Sequence, residues 1–116
     1  MAITRMGGNN INTRVVVHNK VAYLSGIVAD DKSLDVAGQT RQILAKIDKH
    51  LADAGTSKSK LLSALVWLSD MKRKDDLNAV WSAWIDLDNP PVRACVGAEL
   101  SSATTLVEIM VTASVD

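Results

Sequence analysis

The chain has 116 residues, with 13 basic side chains balanced by 13 acidic ones; this is enough for one domain, 1–116, with a real core, yet short enough that self-association can bury leftover apolar surface. Zero net charge offers no basic field to a nucleic acid or an acidic surface. A lone cysteine excludes an internal disulfide, no N-terminal apolar run resembles a signal peptide or membrane span, and His18 and His50 are too scattered for a metal site, so a reducing cytoplasm and no metal or cofactor are expected.

In chain order, Ala2 to Met6 has the pattern of a short edge strand and is followed by a flexible Gly7-Gly8-Asn9-Asn10. Arg14 to His18 and Val21 to Ser25 are β-rich runs that a tight hairpin at Asn19-Lys20 would join. Gly26 comes next, where the absence of a side chain allows close approach or a bulge and leaves an N–H to face a ligand.

From Asp35 the period changes. Val36, Thr40, Ile43, Leu44, Ile47 and Leu51 form one stripe of a helix ending near Gly55, with Arg41, Lys46, Asp48 and Lys49 on a solvated face. After the polar Thr56 to Ser59, the apolar run Leu61 to Leu68 is a buried strand. Asp70 to Asp76 is loop-like, with Asp75 or Asp76 as helix N-cap. Leu77, Val80, Trp81, Trp84 and Leu87 mark a second helix, stopped by Asn89-Pro90-Pro91.

The last quarter carries two alternating stretches, Pro91 to Val96 and Leu106 to Val111. A reversal near Ser102-Ala103 would make them a hairpin in which Arg93 faces Thr112, Cys95 faces Met110 and Gly97 faces Glu108. Val92, Ala94, Val96, Val107, Ile109 and Val111 then form an apolar face for the helices. Arg93, Cys95 and Glu108 share the opposite face. The resulting fold class is α+β, a mixed six-stranded sheet with two helices on one face. Its second face, with Leu65, Trp67, Leu106 and Met110, calls for another subunit as cover.

Tyr23-Leu24-Ser25-Gly26, the stretch Asp35 to Gln42, Asn78-Ala79-Val80-Trp81, and above all Pro91-Val92-Arg93-Ala94-Cys95-Val96 followed by Val107-Glu108-Ile109 resemble the Rid (YjgF) family, in order and with its spacing from about Val15 onward. The resemblance implies a chorismate-mutase-like fold and a homotrimer with three clefts between subunits. It further implies hydrolysis of reactive imino and enamino acids, such as 2-iminopropanoate formed from 2-aminoacrylate, to 2-keto acids and ammonia. The residue chemistry agrees. Arg93 offers a planar fork for a substrate carboxylate, and Glu108 is placed to orient or deprotonate water. By motif position, Ser25, the Gly26 N–H, Asn78 and Cys95 line the same cleft.

Blander roles stand beside these. Arg93 and Glu108 also suit an interfacial salt bridge, Cys95 suits a packed thiol better than a nucleophile since no histidine base is near it, and Asn78 suits a local hydrogen bond. The three tryptophans suit packing, and the two histidines have no assigned role. Where archetypal members carry a Gly-Pro-Tyr type segment whose tyrosine reaches the cleft, this chain has Asn10-Ile11-Asn12-Thr13-Arg14, and Gly97 replaces a larger, often acidic residue. These departures mark a divergent subgroup and leave, as the second class of function, a non-catalytic trimeric ligand-binding or chaperone-like member.

Overall fold

The computed structural model describes residues 2–116. Strands β1 (Thr4–Gly8), β2 (Thr13–His18) and β3 (Val21–Leu24) precede helix α1 (Val36–Asp53), strand β4 (Leu61–Leu68), helix α2 (Lys74–Trp84), and strands β5 (Val92–Gly97) and β6 (Val107–Ser114). The strands form one mixed six-stranded sheet in the order β1-β2-β3-β6-β4-β5, and both helices pack on it.

Local chemistry explains most of the elements. Asn19 and Lys20 both take positive φ, 51° and 64°, which is the turn that matches the twist of a two-residue hairpin. Asp35 caps α1 by accepting from the Gly38 N–H at 2.8 Å. The α1 stripe is buried as its period requires, with one polar addition, Gln39. Its amide donates to the carbonyls of Leu34 and Thr104 and accepts from the Leu106 N–H, at 2.9–3.0 Å, so a fully buried side chain anchors the approach to β6.

The start of α2 differs from the sequence expectation. Neither Asp75 nor Asp76 is the N-cap; both lie in the first turn, where the helix dipole favours them. Asp70 instead accepts from Lys72 N–H and starts a 3₁₀ turn, Met71–Arg73, that leads into the helix. The helix also ends earlier, at Trp84, because Ile85 is extended; Leu87 lies beyond it and is exposed. Leu106 packs partly buried against the core and is not on the open face.

The largest correction concerns the C-terminal pair. β5 and β6 are not a hairpin, because β4 lies between them, parallel to β5 and antiparallel to β6. Two features explain this. Helix α2 is a crossover between β4 and β5, a connection that suits parallel neighbours. The inward residues of β6, Val107, Ile109, Val111 and Ala113, are at most 1% exposed, which needs pairing on both edges. With β5 on the edge, its alternation is inverted relative to the expectation. Arg93 pairs with Ala64 and Cys95 with Val66 on the helix side, while Val92, Ala94 and Val96 join Ser63, Leu65 and Trp67 on the open face.

Candidate functional site

The candidate residues fall into two groups on opposite faces of the sheet. On the helix side, at the β5 edge, Arg93 Nη2 donates to Asn78 Oδ1 at 2.8 Å, and the guanidinium carbon lies 5.2 Å from the centre of the Trp81 ring. Asn78 and Trp81 are three residues apart on α2 and so share one helical face. They hold the guanidinium by a hydrogen bond and by a cation–π contact. Arg93 Nη1 is buried and has no hydrogen-bond partner. Cys95, two residues along β5, lies on the same side, partly buried against the core.

The second group is on the open face. Glu108 pairs with Trp67 across β6 and β4, and its carboxylate rests over Gly26. A β-carbon added at Gly26 would lie 2.1 Å from Glu108 Oε2, so only glycine admits the carboxylate there. Ser25 and Gly26 lie between Leu24, the last residue of β3, and the bridge of Ile27 to Ile109. The Ser25 N–H donates to the Arg14 carbonyl at 2.9 Å, and Arg14 Nη1 donates to Ser25 Oγ at 2.8 Å and more weakly to the Gly26 carbonyl at 3.5 Å.

Within one chain, therefore, Arg93, Cys95 and Glu108 do not share a face, and Ser25, Gly26, Asn78 and Cys95 do not line one cleft. β5 and β6 flank β4, which puts their backbones about 10 Å apart. None of the four ion pairs among the described residues, Lys46–Asp30, Lys49–Asp53, Lys60–Asp116 and Arg73–Asp76, involves Arg14, Arg93 or Glu108. The structure thus separates the candidate residues into two groups. One is an unpaired guanidinium in a fixed mount; the other is a carboxylate seated on a glycine.

Arg14 and Trp81 were missed as site residues. A signal existed for each: a hairpin turning at Asn19-Lys20 sets Arg14 opposite Ser25, and Trp81 follows Asn78 at helical spacing. The open face also carries a concavity of about 450 Å³ between β5, β4 and β6, lined by Leu65, Val92, Ala94, Met110 and Thr112 among others. Among the described residues no helix is long and apolar enough to cross a membrane, and no group of three or more metal-binding side chains gathers.

The family model described as Endoribonuclease L-PSP matches residues 7–115. A RutC family protein of Haemophilus ducreyi is 39% identical over 114 residues, covering 98% of this chain and 97% of that protein. The RutC family protein YoaB of Escherichia coli is 35% identical over 115 residues, covering 99% and 100%. Among solved structures, a YjgF family member from Neisseria meningitidis superposes with a TM-score of 0.97 at 36% identity, covering 100% of this chain and 97% of its own.

Proposed function

The chain belongs to the YjgF/Rid family, and from that premise we propose that it hydrolyses reactive 2-imino acids and their enamine tautomers to 2-keto acids and ammonia. The observation that carries the reading is the pair of unpaired, oppositely charged groups on complementary half-sites, Arg93 and Glu108. A cleft between two copies, with the β5/α2 edge of one set against the open face of the next, would bring both to one substrate.

Each group then has a task suited to its chemistry. Arg93, aligned by Asn78 and Trp81, takes the substrate carboxylate and fixes the adjacent imine carbon. Glu108 accepts a proton from water as the water oxygen bonds to that carbon, and the C=N π pair moves to nitrogen, which takes that proton back from Glu108. The carbinolamine then collapses: the hydroxyl oxygen gives its proton to Glu108 and forms the carbonyl, and the C–N bond breaks as the amine nitrogen takes that proton from Glu108 and leaves as ammonia. The Gly26 N–H and Ser25 hydroxyl are available to steady the oxygen. No metal or cofactor takes part.

The ribonuclease of the family description finds no support in the charges of this chain, since 13 basic against 13 acidic residues leave no net field for a polyanion. The deciding test is ammonia release from freshly generated imino acids, with the uncatalysed rate subtracted. Binding of the corresponding keto acids without faster ammonia release would favour the ligand-binding alternative.

The assembly gives a second prediction. Tyr23, Val92, Val96 and Met110 on the open face are 47%, 74%, 43% and 38% exposed, and Leu65 and Trp67 lie among them. We expect a homotrimer that covers this face. Sedimentation at micromolar concentration should give three times the 12.5 kDa chain mass; a stable monomer would refute it.

Gly26 supplies a third prediction. In Gly26→Ala the new methyl takes the place of the Glu108 carboxylate, the mobile end of its side chain, which then swings away. Melting should change by a few degrees at most, about 1 kcal/mol, while turnover falls about tenfold or more because the base is misplaced. Equal turnover in the variant would show that Glu108 need not sit over Gly26.

A further inference from the structure

Arg14 is a third charged group at this site. The β2–β3 hairpin fixes it beside Ser25 and Gly26, and both hydrogen bonds come from Nη1. Its Nη2 and Nε have no protein acceptor among the described residues. Asp53, which borders a shallow concavity shared with Arg14, is engaged by Lys49 at 3.6 Å. His50 on the same concavity has its pKa lowered, first by burial and then by the charge of Arg14, so it adds no negative charge and favours the neutral form. Arg14 therefore has no counter-ion among the described residues and keeps open donors beside the segment that seats Glu108. Arg14 and Glu108 each approach Gly26, and they form no ion pair with each other.

We infer that Arg14 recognises a second carboxylate, so the preferred substrates are imines of acidic amino acids, held at the α-carboxylate by Arg93 and at the side-chain carboxylate by Arg14. This rests on the proposed imine hydrolysis. A guanidinium with unused donors is best satisfied by a carboxylate, whose two oxygens match its fork. The imine carbon lies between the two carboxylates of such a substrate, and Glu108 lies beside Arg14 on the same half-site. A neutral side chain would leave the Arg14 donors unmatched, which is a cost that discriminates.

The test compares imines of equal chain length, generated in place by an amino-acid oxidase from glutamate and from norvaline, together with calorimetric binding of 2-oxoglutarate and 2-oxopentanoate. Wild type should favour the dicarboxylic member of each pair by about tenfold or more. In Arg14→Met both preferences should collapse, and in Arg14→Lys part of each should return, because a charge without the fork is restored. Absence of any preference in wild type would overturn the inference. So would an Arg14→Met variant that weakens both members equally, which would assign Arg14 to holding Ser25 alone. If neither imine is hydrolysed but 2-oxoglutarate still binds selectively through Arg14, the catalytic reading fails and the dicarboxylate site stands.

Discussion

Arg93→Lys should lower hydrolysis of 2-imino acids by well over tenfold while the assembly persists. Lysine keeps the positive charge, so a purely electrostatic role predicts a small change. The structure shows more than charge at this position: Nη2 is bound to Asn78, and the guanidinium lies over Trp81. An ammonium can satisfy neither geometry as well, and it meets a carboxylate as a point, without the paired parallel bonds of a fork. The loss should lie in the orientation of the imine carbon and so be seen in kcat as well as in kcat/KM. Leaving Asn78 unpaired costs about 1 kcal/mol of stability, small enough to separate from the kinetic effect by thermal melting and sedimentation of the same sample. Turnover near wild type would mean that Arg93 does not hold the substrate.

That prediction depends on a feature the sequence did not disclose, the side of the sheet from which Arg93 acts. The elements set by neighbouring residues were legible. Asn19 and Lys20 specify the hairpin of β2 and β3, the apolar stripe from Val36 to Leu51 specifies α1, and the largely apolar run Leu61–Leu68 specifies β4. The position of β6 is a different kind of fact, because it depends on strands far away in sequence. The segment from Ala98 to Leu106 is long enough to turn directly between β5 and β6, and it is equally able to carry the chain past β4, where β6 gains pairing on both edges. Alternation within β5 has two possible faces, and Val92, Ala94 and Val96 looked like core because a covered face is the usual place for an apolar set. Here they lie on the open face.

The same change alters what the site is. With β5 and β6 paired directly, Arg93 and Glu108 would have been a ready-made dyad on one face, and an internal salt bridge would have been a sufficient account of both. With β4 between them and the faces opposed, one chain cannot close that bridge, and the buried Arg93 Nη1 is left without a partner within the chain. The residues that mount them are distant in sequence: Asn78 is 15 residues from Arg93, and Gly26 is 82 residues from Glu108. Motif order located the participants, and only the fold determined which of them meet.

Glu108→Gln should lower turnover by about 10²- to 10⁴-fold, the range expected for loss of a positioned general base, while Cys95→Ala should remain substantially active. The two variants separate water-mediated from nucleophilic chemistry. If the thiol attacked the imine carbon, its removal would abolish turnover and an adduct could be trapped by mass spectrometry. Cys95 is partly buried on the helix side of β5 and packs against the core, a setting for a small apolar residue with no base beside it. Glu108 sits on the open face over Gly26, where water can reach it. Glutamine is nearly isosteric and should occupy the same place over the glycine, but it cannot take a proton from water. Measured on one imino acid at one pH, a dead Cys95→Ala beside an active Glu108→Gln would reverse the assignment. Equal mild losses in both would shift the catalysis to positioning, with Arg93 and backbone donors such as the Gly26 N–H supplying most of the acceleration.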